Sequence, residues 1–342
     1  MTQAQLETWK RRSSTMRANQ WSRSLGVLML VAAGRAIVPG PAAHAAGKPA
    51  IAVAVADQKS LFYIAAVAGM RDEAKKEGYT LNVASAADNS TLQINQIQNL
   101  LVRQPGALIF IPQDATSAAA GVRAANQSGV PVIAVDERPE GTNVKLATYI
   151  ATDSVKAARD LCTWMFNQIG GKGELAILHG VLGATAELQR TQGCQEALQK
   201  FPDIHVVAQQ TANWDETEAY KAAQNILTAH PDLKAIFGES DAMAMGAAKA
   251  AKQADRQGLV VVGIDGFPTM FKAVKSGLTQ ATKAQRPYEM GEMAVRDAIQ
   301  LINNTGKAIP AEQLVDAQLI TKANVDQFSP TTFYGPTANT MY

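Results

Sequence analysis

Residues 260–268 read VVVGIDGFP. The run Val260, Val261, Val262, Gly263, Ile264 contains no polar residue, so both faces of an extended chain here are apolar. Such a strand is buried on both sides, the state of a parallel sheet layered between helices. Asp265 follows at once, with the turn-forming Gly266 and Pro268 behind it. A carboxylate in that position has two readings. It caps the next helix, or it stands in the crevice outside the carboxyl ends of the strands, where open α/β sheets hold their ligands.

The pattern around this stretch repeats. Strand-like runs occur at 50–56, 79–85, 107–111 and 130–135, separated by helix-period segments such as LFYIAAVAGMRDEAKKEG and LQINQIQNLLVRQ. The same order starts again with runs at 173–180, 204–211, 233–238, 259–264 and 279–284. Strands alternating with helices imply parallel sheets with right-handed crossovers, so the expected fold is α/β, with two doubly wound parallel-sheet lobes in tandem. No Gly, Ser or Pro tract separates the lobes. The join is therefore short, with crossings expected at KLATYIATDS (145–154), QRPYEMGEMA (285–294) and LVDAQLIT (314–321). That sets a three-crossing hinge with a cleft between lobes. The expected boundaries are 46–150 with 286–314 for the N-terminal lobe, 151–285 with 315–321 for the C-terminal lobe, and an irregular tail over 322–342.

Residues 1–45 read differently. Lys10, Arg11, Arg12, Arg17 and Arg23 precede the apolar LGVLMLVAAG, and Ala43-His44-Ala45 is an A-x-A cleavage pattern. Basic, apolar and small-residue regions in this order describe a secretory signal peptide, its apolar part too short to span a bilayer. The full chain carries 32 basic and 30 acidic residues; without 1–45 it has 26 and 29, a net charge near −3. No basic stripe remains for nucleic acid. Cys162 and Cys194 both fall in expected helices. They can pair in an exported protein, but the favoured reading is two separate buried thiols.

Polar groups gather at one end of several strands. Asp136-Glu137-Arg138, Glu239-Ser240-Asp241, Asp265 and Gln285 each follow such a run. One of these is a cap; four placed alike line a crevice. Aromatic residues make up only 6% of the chain, yet Phe62-Tyr63 and Trp214 fall at strand ends in both halves. Flat rings suit C–H faces, and Asp, Asn and Gln exchange hydrogen bonds with hydroxyls. That combination fits a sugar or polyol. No G-x-S-x-G, H-E-x-x-H or P-loop pattern occurs, and His44, His179, His205 and His230 lack metal-ligand spacing. No enzyme, metal or cofactor is expected.

In this order the stretches IAVAVADQKSLFY, AANQSGVPVIAVDE, TAHPDLKAIFGESDAMAMGA, VVVGIDGFP and ATKAQRPYEMG resemble the periplasmic sugar-binding proteins of the ribose and galactose type, whose fold is shared by the ligand domains of LacI-type repressors. The similarity is greatest to the ribose-binding branch and covers roughly 50–320. The resemblance implies ligand positions at Lys59 or Ser60, Phe62, Tyr63, Asp136, Trp214, Asp265 and the hinge Gln285. Departures bring in further residues. Glu137 stands where that branch has arginine, with Arg138 after it; Leu188 stands where a sugar-binding arginine is expected, leaving Arg190 as the nearby candidate; and Ser240 replaces an asparagine. Loss of an arginine fork changes which hydroxyls are held, which points away from ribose itself. The implied function is substrate binding for an ABC-type sugar importer: a periplasmic monomer that delivers its ligand to an inner-membrane permease. The alternative is a sensory subunit presenting the sugar to a histidine kinase or chemoreceptor. A repressor would need an N-terminal helix-turn-helix where this chain has its leader.

Overall fold

The computed structural model describes residues 48–340, so the signal peptide expected over 1–45 lies outside the described residues. None of the helices described is long and apolar enough to cross a membrane.

The chain begins as β1 (Ile51–Val55), α1 (Leu61–Glu77), β2 (Leu81–Ser85), α2 (Ser90–Leu101), β3 (Ala107–Ile111), α3 (Ala115–Gln127), β4 (Val132–Val135) and β5 (Thr148–Thr152). Alternate residues of β1 serve opposite layers. Ile51, Val53 and Val55 pack with Ala66 and Met70 of α1, while Ala52 and Ala54 pack with Ile97 of α2 and Val122 of α3. This two-sided burial is why the strand carries no polar residue.

The chain then leaves the first sheet for α4 (Ser154–Gln168), β6 (Lys172–His179), α5 (Thr185–Leu198), β7 (Asp203–Thr211), α6 (Glu216–Ala229), β8 (Leu233–Gly238), α7 (Asp241–Gln253), β9 (Val260–Asp265), α8 (Pro268–Ser276) and β10 (Ala281–Ala284). In β9, Val261 joins the layer of α6 and α7, while Val260, Val262 and Ile264 join the layer of α4 and α5. Helix α9 (Pro287–Ile302) returns to the first sheet, packing Met290, Ala294 and Ala298 on β1 and β3. Strand β11 (Glu312–Val315) pairs with β5, and β12 (Gln318–Thr321) pairs antiparallel with β10.

The sheet orders are β2-β1-β3-β4-β5-β11 and β7-β6-β8-β9-β10-β12. Both are doubly wound in the same sense, and both switch direction between their first and third strands, where ligands of such sheets sit. The chain passes between the lobes after Thr152, after Ala284 and after Val315.

Two findings go beyond the sequence reading. Cys162 of α4 and Cys194 of α5 form a disulfide, with Cα atoms 5.5 Å apart, which corrects the expectation of separate thiols. Helical crowding of small residues brings these helices close; Gly193 lies against the backbone of Val155. The tail also folds into the interior. Phe333 and Tyr334, in the short helix α10 (Thr331–Tyr334), are fully buried. Tyr334 packs on Phe267, Phe333 tilts against Phe271 and Phe328, and Arg286 lies over the Phe333 ring at 5.2 Å.

Candidate functional site

A cleft of about 890 Å³ opens between the lobes at the carboxyl ends of the strands, within the size range of small-molecule sites. All eleven expected residues line it: Lys59, Ser60, Phe62, Tyr63, Asp136 and Glu137 from the first lobe, and Arg190, Trp214, Ser240, Asp265 and Gln285 from the second lobe and hinge. Their placement follows from local chain chemistry. Asp57 Oδ1 accepts from Lys59 N (2.5 Å) and Ser60 N (2.7 Å), turning the chain out of β1 into α1, so that Phe62 and Tyr63 enter the cleft edge to face. Lys59 stays at the mouth, exposed and paired with Asp88 at 3.6 Å.

The floor of the cleft is a charge network. Tyr63 donates to Asp136 Oδ2 at 3.2 Å, and burial together with the Asp136 charge keeps its phenol protonated. Gln285 Nε2 donates to Asp265 Oδ1 at 2.8 Å, while its Oε1 accepts from Thr152 at 2.6 Å, tying a hinge crossing to the site. Arg190 lies between the lobes' carboxylates. Its Nη1 donates to the Glu239 carbonyl at 2.5 Å and sits 3.8 Å from Asp265, and its guanidinium carbon is 5.5 Å from the Trp214 ring centre. Burial raises the carboxyls of Asp136 and Asp265, and Arg190 offsets part of that rise at each. Arg190 Nε is buried with no hydrogen-bond partner among the described residues. A buried donor left open is costly unless a ligand fills it.

The backbone is strained at the same places. Asp136 (φ 68°), Trp214 (φ 64°) and Asp265 (φ 156°) are non-glycine residues at positive φ, a conformation that persists only where the surroundings impose it and that gathers at functional sites. Trp214 lies flat over Gly180, where any side chain would collide with the indole.

Several roles differ from the sequence expectation. Leu188 is 55% exposed and takes no part in the cleft lining; the guanidinium lining the cleft is that of the nearby candidate Arg190, on another face of α5. Ser240 Oγ accepts from Met243 N at 3.3 Å, capping α7. Glu137 turns both carboxylate oxygens to Thr185. Asp265 does not cap α8, the helix that follows it. The Gly266 and Phe267 amides go instead to Asp241 Oδ2, at 2.6 and 2.9 Å, and Asp265 Oδ2 accepts the Asp241 amide at the start of α7 (3.1 Å). Asp241 also takes the Thr282 hydroxyl at 2.7 Å; burial and the neighbouring Asp265 charge raise its carboxyl.

Sequence reasoning missed Asp241 as an anchor, Thr185 and Tyr334. Only Asp241 carried a signal, its place beside Ser240 at a strand end. Tyr334 donates to the Asp265 carbonyl at 2.9 Å from a segment that reads as tail. The same carbonyl accepts from the Gln285 amide at 2.9 Å, so Tyr334→Phe removes one of its two donors, and chemical denaturation should show a loss of about 1 kcal/mol; an unchanged midpoint would remove Tyr334 from the support of Asp265.

His179, Glu187 and Glu239 form a buried set whose donor atoms lie within 4.8 Å of one another, close enough to hold a cation. The set is already internally bonded: His179 Nδ1 faces Glu239 Oε1 (3.2 Å), Glu187 Oε1 (3.3 Å) and the Thr191 hydroxyl (3.1 Å), and Nε2 faces Gln209 Oε1 (3.1 Å). The bond to Glu239 raises the pKa of His179.

These shifts share a sign. Glu137, held by burial at about 7, and Asp136, Asp241, Asp265 and His179 all bind their protons more tightly in the folded chain. Their stabilising protons are present at mildly acid pH and are lost as pH rises through the folded-state values. The melting temperature of the ligand-free protein should therefore fall between pH 5.5 and 8.5; a rise over that window would contradict the assignment.

A family model described as a periplasmic binding protein domain matches residues 51–308. The ribose import binding protein of Salmonella typhimurium is 33% identical over 280 residues, 82% of this chain and 93% of that protein. The xylitol-binding protein of Mycolicibacterium smegmatis is 33% identical over 306 residues, 86% of each. Among solved structures, an ABC transporter periplasmic solute binding protein from Actinobacillus succinogenes with bound D-allose superposes with a TM-score of 0.78 at 30% identity, covering 82% of this chain and all of that one.

Proposed function

The chain belongs to the periplasmic binding protein family, and from that premise we propose that it is the substrate-binding component of an ABC-type sugar importer. In this reading it is a periplasmic monomer that takes a pentose, hexose or polyol into the cleft and delivers it to an inner-membrane permease. One observation carries the reading: Arg190, whose buried Nε has no hydrogen-bond partner among the described residues, lines one cleft with Asp136, Asp265, Phe62, Tyr63 and Trp214. A polyhydroxylated ligand meets each need of that arrangement. Its hydroxyls donate to the two carboxylates, bonds strengthened by charge, and accept from the open guanidinium N–H. Its C–H surface lies on the rings. Because the groups come from both lobes, the ligand makes its full set of contacts only when they are together, and binding shifts the population toward the closed form.

A thermal-shift panel of D-ribose, D-allose and xylitol tests the reading, since a ligand at 100 times its dissociation constant adds about 2.7 kcal/mol of stability. At least one member, or another sugar or polyol from a wider set, should raise the melting temperature and be recovered unchanged. If none does, the carbohydrate reading fails.

A further inference from the structure

Glu137 stands at the carboxyl end of β4 in the first lobe, and Thr185 is the first residue of α5 in the second. The Thr185 amide donates to both Glu137 oxygens at 3.1 Å, and the Thr185 hydroxyl donates to Oε1 at 2.9 Å. The next amide along, Arg138 N, donates to the Thr185 hydroxyl at 3.2 Å. Helix α5 has no cap of its own, because its N-cap residue is Ala184. The open N–H groups at a helix start attract a carboxylate through both hydrogen bonding and the helix dipole.

We propose that Glu137 is a positioning residue for lobe closure: it reaches across the cleft and caps a helix of the opposite lobe, supplying hydrogen bonds that the closed form has and the open form lacks. The proposal rests on the reading of the cleft as a closing binding site, and it deepens that reading by naming a contact that favours closure without touching the ligand. Helix α5 also carries Arg190, so the same cap fixes the helix that presents the guanidinium to the cleft. The groups facing Glu137 agree with a contact held by the helix end and not by an ion pair. Asp136 and Asp114 are like charges, Tyr63 and Tyr149 are protonated phenols, and the Arg138 side chain turns away to Glu312 at 2.6 Å.

The proposal requires these bonds to hold most of the ligand-free chain closed, so the test uses that form and can be read whether or not any sugar of the panel binds. Amide hydrogen exchange is followed at Thr185 in the wild type, Glu137→Ala and Glu137→Gln. Loss of a helix cap should speed exchange in the alanine variant by about fivefold, while glutamine, which keeps an acceptor oxygen at the same reach, should restore the protection. Thr185→Pro removes the donor from the other side. Proline is tolerated at the first helical position, and Ala184 already has the extended backbone that must precede it. Small-angle scattering should then show both Thr185→Pro and Glu137→Ala more open than the wild type. Exchange in Glu137→Ala equal to the wild type, no rescue by glutamine, or scattering curves that superpose would each overturn the proposal.

Discussion

Replacing Arg190 with methionine should abolish ligand binding and lower stability by about 3 kcal/mol, the cost of stripping the partner from buried charges. Methionine keeps the length and much of the volume of the side chain, so lost packing is a small part of the effect. What goes is the cation that offsets the burial of Asp136 and Asp265, together with the donor on the Glu239 carbonyl. Without it those carboxyls relax by holding protons to higher pH, which limits the stability loss and turns them from acceptors into groups that compete with the ligand's hydroxyls. Binding therefore suffers twice, through the lost guanidinium donors and through the altered carboxyls. Calorimetry on the variant and denaturant titration at pH 7 check both parts. A variant that binds normally would place Arg190 in a purely structural role.

Removing the Cys162–Cys194 bridge, by reduction or by paired alanine substitution, should cost about 3 kcal/mol. The bond closes a loop over a sequence separation of 32 residues, and loops of that size constrain the unfolded chain by this order. Its place gives the loss a direction. The bond fastens α5 to α4, and α5 carries both Arg190 and Thr185, so loosening should appear at the cleft wall of the second lobe rather than across the molecule. Hydrogen exchange after reduction should rise first in residues 185–198 and in the facing turns of α4. A uniform rise over both lobes would contradict a local clamp, and no change in melting temperature would contradict the bond's contribution.

The architecture was legible because burial on both faces of a parallel strand leaves a plain signature. VVVGI has no polar residue, and each half of its alternation meets a different helical layer. The site was legible through the same strands, whose ends carry Asp136, Ser240, Asp265 and Gln285. What stayed hidden depends on contacts distant in sequence. Asp241 and Asp265 exchange the capping roles that a local reading gives to Asp265 alone, because the turn after β9 lies beside the start of α7. Glu137 reads as a ligand contact until Thr185, 48 residues away, is seen at its carboxylate. Tyr334 carries no local pattern at all, since nothing in a Thr- and Pro-rich segment shows that its hydroxyl reaches the Asp265 carbonyl. Arg190 lines the cleft and Leu188 does not because helical phase, not sequence proximity, decides which residue of α5 faces it.

The central claim is that Asp136, Arg190, Trp214 and Asp265 together hold a polyhydroxylated ligand between the lobes. Titration calorimetry of the protein against D-ribose, D-allose and xylitol, and against the Arg190→Met variant in parallel, addresses it directly. The expected result is one-to-one binding of at least one of them to the wild type and no measurable heat with the variant. Binding that survives loss of Arg190, or the absence of binding by any sugar or polyol, would contradict it.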